Sequence, residues 1–316
     1  MQAGMTRRNW LKLSISAAAV SRLTPGASMD AHGFKLGIIT DELTGQLNEA
    51  LDFISSHHLH WCELREIWGK NLVNASREEL DRARDLIARH DIRVSEIASP
   101  LFKWNCPQMP AKAGEKHDTF GASFTEEDAG KLLDRCFELA HFFGTRMVRI
   151  FTYWRVDDPA KAYPYVRDRM AKAAEVAARS GMILTVENEF ACNVGTGREL
   201  GHLLRDVNSP SLRGVWDPGN STLLGEVPYP DGYEAVNGLF PHMHVKDSRR
   251  NASTGKIEWA PVGAGTIDFK GQFQALRRDR YEGTISLETH YLRADGNKVE
   301  STRESLEGLF KVLNEV

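Results

Sequence analysis

From residue 34 onward the chain alternates eight times between a short β-type run and a longer amphipathic stretch. This alternation constrains the fold most, because strands joined by helical crossovers pair in parallel and place helices over the sheet. The runs at 34–40, 60–67, 92–98, 146–151, 183–187, 213–217, 242–247 and 285–288 read as strands. The stretches near 47–58, 77–90, 126–143, 161–180, 197–207, 233–239, 269–280 and 298–316 read as helices. Leu47, Leu51 and Ile54 form one apolar stripe on the first helix, an Asn74/Ser76 region caps the second, and Gly144 and Gly181 close the third and fourth. Eight such units in series, with no linker dividing them, predict one α/β domain over 34–316, built as a closed parallel (β/α)8 barrel. A doubly wound open sheet is the alternative, but Ile38-Ile39-Thr40-Asp41-Glu42 stands where a glycine-rich dinucleotide loop would follow the first strand.

The last four strands share a second property. Ile183-Leu184-Thr185-Val186-Glu187, Arg213-Gly214-Val215-Trp216-Asp217, His242-Met243-His244-Val245-Lys246-Asp247 and Ile285-Ser286-Leu287-Glu288 each deliver a carboxylate or imidazole at or near a C-terminal end. That end is where a parallel barrel collects its active-site groups. Glu187, Asp217, His244 and Glu288 together make an oxygen-rich set suited to one divalent ion, with Mn²⁺ the first expectation and Mg²⁺, Co²⁺ or Zn²⁺ as alternatives. A charge beside apolar strand residues is costly unless it is paired or ligated, which favours ligation over a surface ion pair for Glu187 and Glu288. A lone histidine would more often be a satisfied core residue. Three compatible partners reverse that preference for His244 but leave His242 open to a supporting role. Strand alternation puts Glu189 and His290 on the ligand side. Asp41, Glu63 and Arg65 read as a salt-bridge layer or as pocket lining.

Composition narrows the function classes. A net charge of -3 over 316 residues argues against a nucleic-acid partner, which usually meets a basic face. No apolar run reaches the roughly 18 residues that suggest a membrane span. Cys62, Cys106, Cys136 and Cys192 show no CxxC pairing and read as buried structural thiols. At the N-terminus, Thr6-Arg7-Arg8-Asn9-Trp10-Leu11-Lys12 and the small-residue stretch 13–20 resemble a twin-arginine export signal. Residues 1–30 are therefore set apart from the fold as a signal or disordered segment, with a periplasmic or exported location expected and a cytoplasmic one as the alternative. Two long segments, 99–124 and 247–266, follow the third and seventh strands and read as substrate-closing loops.

In order along the chain, Thr40-Asp41-Glu42, Glu63-Leu64-Arg65, Val186-Glu187-Asn188-Glu189, Asp217-Pro218-Gly219-Asn220, His244-Val245-Lys246-Asp247, Pro261-Val262-Gly263-Ala264-Gly265 and Leu287-Glu288-Thr289-His290 resemble the xylose-isomerase-like TIM barrel superfamily. The match is to its sugar phosphate isomerase/epimerase branch, and it covers the chain from residue 34. The resemblance implies that Glu187, Asp217, His244 and Glu288 hold one metal and that Glu187 and Glu288 also transfer protons. It implies a homo-oligomer as one possibility, and a second position for Arg250, which matches an arginine bracing the metal face in related epimerases. Asn220, Arg250, His242 and Glu189 are the expected substrate contacts. Ketose 3-epimerases of the superfamily carry a histidine where this chain has Asn220 and a glutamate where it has Asn193, so a ketose substrate does not follow.

The expected function is metal-dependent isomerisation or epimerisation, by proton transfer next to a carbonyl of a sugar, keto-sugar or polyol. The alternative is a lyase on the same scaffold, of the inosose, 3-dehydroshikimate or 3-keto-glycoside type. Apurinic-site endonucleases share the barrel but resemble trinuclear sites with more histidines than this chain offers. A non-catalytic sugar-binding module would not need two metal-linked glutamates.

Overall fold

The computed structural model describes residues 30, 32–107, 109–114 and 117–316, so the export signal expected over 1–30 lies, Asp30 apart, outside the described residues. Eight parallel strands close into a barrel: β1 Lys35–Ile39, β2 Trp61–Leu64, β3 Arg93–Ala98, β4 Met147–Ile150, β5 Ile183–Glu187, β6 Leu212–Trp216, β7 His242–Val245 and β8 Thr284–Leu287. β1 pairs with both β2 and β8, which closes the ring. This is a (β/α)8 TIM barrel.

Local chemistry explains the helices that follow the strands. Arg77–Arg89 begins at Ser76, whose hydroxyl accepts the Glu79 N–H while the Glu79 carboxylate accepts the Ser76 N–H. Thr196 and Glu199 repeat this box for Gly197–Val207. Gly144 ends Ala129–Phe143 at a φ of 76°, a left-handed conformation that glycine adopts without strain. The apolar residues of helices and strands form one continuous layer around the barrel, including Leu51, Leu133, Met170, Leu200, Phe273 and Leu309. The four cysteines are free and buried, as expected. Among the described residues no helix is long and apolar enough to cross a membrane.

Three features differ from the sequence reading. The second run, 60–67, divides: β2 ends at Leu64, and Glu66–Ile67 turns back antiparallel onto Lys70–Asn71. The turn is made by Trp68 and Gly69, at φ 51° and 73°. The segment after β7 is no open loop, since Asp247–Arg250 pairs antiparallel with Ile257–Ala260. A further helix, Pro218–Leu223, starts directly after β6 with Asp217 as its N-cap and Pro218 at the first helical position, where proline's missing N–H costs nothing.

The first residues of the loop after β3 are pinned. The N–H groups of Phe151, Tyr153 and Trp154 donate to the carbonyls of Leu101, Phe102 and Trp104. Phe102 and Trp104 pack on Tyr153, with ring centroids 5.6 and 6.3 Å apart.

Candidate metal centre

β5, β6, β7 and β8 run in the same direction as immediate neighbours, so their C-terminal ends converge. Glu187 is the last residue of β5, Asp217 and Glu288 each follow the last residue of β6 and β8, and His244 lies one residue inside the end of β7. All four side chains are buried. His244 Nδ1 is the hub, 3.4 Å from Glu187 Oε1, 3.7 Å from Asp217 Oδ2 and 3.4 Å from Glu288 Oε2.

The four donors fit a divalent ion on two observations. One donor atom from each lies within 4.8 Å of the others, close to the roughly 4.2 Å that spans opposite ligands around an ion with 2.1 Å bonds. His244 Nδ1 is also buried without a hydrogen bond, which is costly in a protein interior unless something else satisfies it.

Cations not anticipated from the sequence surround this set. Arg149, from β4, places Nη1 3.1 Å from Glu187 Oε2. Lys246 Nζ stands 2.8 Å from Asp217 Oδ2 and 2.5 Å from Glu288 Oε2. Burial by itself would raise the Glu187 carboxyl, but Arg149 and His244 outweigh it and hold the group at about 2. Burial is likewise overcome at Glu288, where Lys246, His290 and His244 keep the carboxyl well below the ordinary range. Both carboxylates are therefore ionised and able to accept a proton. In the metal-free protein burial disfavours the charged His244 ring, yet Glu63, Glu187 and Glu288 push its pKa well above 6.5, so a divalent ion would take the place of the Nδ1 proton.

Two asparagines shape the centre. The Asn188 amide clasps the Asp217 backbone, donating to its carbonyl at 2.7 Å and accepting its N–H at 2.8 Å. Asn220 donates to Glu187 Oε1 at 3.1 Å, and its own Oδ1 is buried without a partner. Gly219 between Asp217 and Asn220 is dictated by contact, because a Cβ there would stand 2.6 Å from Lys246 Cγ. Asn193 instead ties two loops together, donating to the carbonyls of Thr152 and Trp154 and accepting the Val156 N–H.

A cavity of about 500 Å³ opens above the centre, lined among others by Arg65, Lys103, Trp154, Glu189, Glu288 and His290. Arg65 is engaged by Asp41 at 2.6 Å and Glu42 at 2.5 Å. Lys103 is buried, with Nζ 3.9 Å from the Phe120 ring centroid and 3.9 Å from Glu189 Oε2. Burial lowers the Lys103 pKa and raises that of Glu189.

The sequence-predicted residues divide accordingly. Glu187, Asp217, His244 and Glu288 come together, with Asn220 against Glu187 and Glu189 in the cavity wall. His242 lies deeper in the barrel, its Nε2 3.1 Å from Glu63 Oε2. Arg250 is not brought to the centre: it is exposed on the hairpin and donates to the Gly255 carbonyl. Antiparallel pairing with Ile257 carries it away from the barrel mouth. Asp247 serves the backbone, accepting N–H groups from Ser248, Gly263, Gly265 and Ile267. Arg149 and Glu96 carry no motif; their position inside strands of a closing barrel was the only available signal.

A family model described as a xylose isomerase-like TIM barrel matches residues 51–312. Inosose dehydratase of Geobacillus thermodenitrificans (strain NG80-2) is 24% identical over 149 residues, or 42% of this chain; the match spans about half, 49%, of that enzyme's length. The crystal structure of 3-keto-D-glucoside 4-epimerase from E. coli superposes with a TM-score of 0.64 at 17% identity, covering 88% of this chain and 98% of that one. The IOLI protein, solved with a zinc atom bound, gives a TM-score of 0.67 at 15% identity, covering 89% of this chain and 99% of that one.

Proposed function

The chain belongs to the xylose isomerase-like TIM barrel family, and on that premise we propose that it is a divalent-metal-dependent isomerase or epimerase. Its reaction moves a proton next to the carbonyl of a sugar, keto-sugar or polyol. The observation that carries this reading is the pair of carboxylates, Glu187 and Glu288, each 3.4 Å from His244 Nδ1 and reaching it from strands on either side of β7.

Glu187, Asp217, His244 and Glu288 would hold the ion, with Mn²⁺ first and Mg²⁺, Co²⁺ or Zn²⁺ as alternatives. Bound there, the ion supplies positive charge to neighbouring carbonyl and hydroxyl oxygens, which acidifies the adjacent C–H. Glu187 removes a proton while Arg149 keeps its other oxygen charged and oriented. For epimerisation Glu288 would return a proton to the opposite face, relayed from the Lys246 ammonium 2.5 Å away, after which Lys246 regains a proton from solvent and Glu187 loses one to it. Return by the same carboxylate to the neighbouring carbon gives isomerisation. Asn220 and Glu189 orient substrate hydroxyls.

A lyase is the second reading, favoured by the similarity to inosose dehydratase and by Lys103, whose buried ammonium faces the cavity and is suited to protonating a departing hydroxyl. NMR in D₂O with Mn²⁺ and a panel of keto-sugars and cyclitols separates the two. Deuterium incorporated without loss of water is the expected result, whereas an enone product transfers the assignment to the lyase. Turnover unchanged after chelation would overturn both.

We also propose export by the twin-arginine route, supported by Arg7-Arg8 and the stretch that follows. A reporter fused behind residues 1–33 should reach the periplasm and stay in the cytoplasm when Arg7 and Arg8 become lysine. Equal distribution of the two fusions would refute export.

A further inference from the structure

Beneath the candidate metal centre the barrel interior is polar, and one carboxylate there has a relation to His244 that the function above does not use. Glu63 lies on β2, three strands from β7 around the ring, and is fully buried. Its Oε2 stands 3.0 Å from His244 Nε2 and 3.1 Å from His242 Nε2. We propose that Glu63 is a positioning residue, locking His244 in the tautomer and orientation that present Nδ1 to a divalent ion. The inference rests on the metal-enzyme reading above.

The proton inventory carries it. A carboxylate offers only acceptors, so each imidazole that meets Glu63 Oε2 does so with a protonated Nε2. The other ring nitrogen of His242 is paired with the Thr284 hydroxyl 2.5 Å away. For His244 the other nitrogen is Nδ1, buried, without a hydrogen bond and facing Glu187, Asp217 and Glu288. One carboxylate oxygen thus sets both rings. Arg149 links this layer to the one above, with Nη1 4.0 Å from Glu63 Oε1 and 3.1 Å from Glu187 Oε2.

The rival use of these groups is a second ion held by Glu63, Glu96, His242 and His244, whose donor atoms also lie within 4.8 Å of one another. Two features oppose it. None of the four lines the cavity, whereas Glu288 of the upper set does. The fork on Glu63 Oε2 also protonates both Nε2 atoms and so removes them as ligands.

The test is Mn²⁺ binding to the wild type, Glu63→Gln and Glu96→Gln, by calorimetry, with folding checked by circular dichroism. A glutamine can turn its amide hydrogen toward Nε2 and drive the ring proton onto Nδ1. Glu63→Gln should therefore weaken binding by about 10–100-fold, the usual effect of losing a ligand's orienting partner, while Glu96→Gln stays within about threefold. Equal affinity of Glu63→Gln and wild type would overturn the inference and leave the metal reading standing. A wild type that binds no Mn²⁺ would overturn both.

Should Glu63→Gln not fold, ¹⁵N-imidazole spectra of the Zn²⁺-loaded wild type decide. The resonances that His244→Gln removes should report a metal-bound Nδ1 and a protonated Nε2. Metal on Nε2 would refute the proposal.

Discussion

Glu187 is held by Arg149 on one oxygen and Asn220 on the other, so replacing it by glutamine keeps the volume and removes the base together with the charge it would offer a metal ion. Deuterium exchange on a responsive substrate should fall by about 10²–10⁴-fold, the usual contribution of a positioned proton-transfer group. An unchanged rate would remove Glu187 from the chemistry. The same environment makes an acid-stability prediction for the metal-free protein. Burial opposes ionisation, but Arg149 and His244 depress the Glu187 pKa from 4.5 to about 2. A depressed folded-state pKa stabilises the fold above the unfolded value, so this contribution is complete above about pH 4.5 and is lost as pH falls toward 2. Melting temperature followed across that window should fall less steeply in Glu187→Gln than in the wild type. At this scale the four candidate ligands were legible, because each ends an apolar run where a bland role is expensive. Arg149 and Glu96 were not legible as members of the site, and Glu63 only as a salt-bridge or pocket-lining candidate, since an inward position inside a strand looks the same for a ligand, an ion-pair partner and a core residue.

The segment after β7 shows how far element reading reaches. Its glycines and charges suggested a mobile cover, yet one buried carboxylate organises it: Asp247 accepts N–H groups from Ser248, Gly263, Gly265 and Ile267, and the flanking strands pair over four residues. Gly265 is required by that clasp, for a Cβ would fall 2.0 Å from Asp247 Oδ1. Asp247→Ala leaves several backbone donors without a partner and should destabilise the protein by about 3–5 kcal/mol, given roughly 1–3 kcal/mol for each buried group left unsatisfied and partial access of water. Denaturant unfolding gives the magnitude, and limited proteolysis should show new cleavage within 248–266. A resistant, fully stable variant would mean that the hairpin holds itself. Barrel strands and their helices were readable because period and caps are local. The hairpin was not, because its register depends on a side chain sixteen to twenty residues from three of the four N–H groups it binds.

For the whole molecule, three carboxylates, Lys246 and Arg149 are packed around one imidazole at the barrel mouth, and an ion that binds only the folded form stabilises it by mass action. Mn²⁺ at about 100 times its dissociation constant should contribute about 2.7 kcal/mol and raise the melting temperature by roughly 5 °C, reversed by chelator. Scanning fluorimetry checks this, and an unmoved melting temperature at millimolar Mn²⁺ would count against the metal centre. By itself the sequence determined the alternation of strand and helix, the barrel class and the four strand-end donors, because periodicity, caps and the cost of a charge beside apolar neighbours are all local. Closure decided the rest. It brought β2 across to β7 and put Glu63 under His244, while the pairing of β4 with β5 set Arg149 beside Glu187 and the hairpin carried Arg250 away. Contacts between residues far apart in the chain arise when the ring closes, and no local pattern records which inward side chains will then face each other.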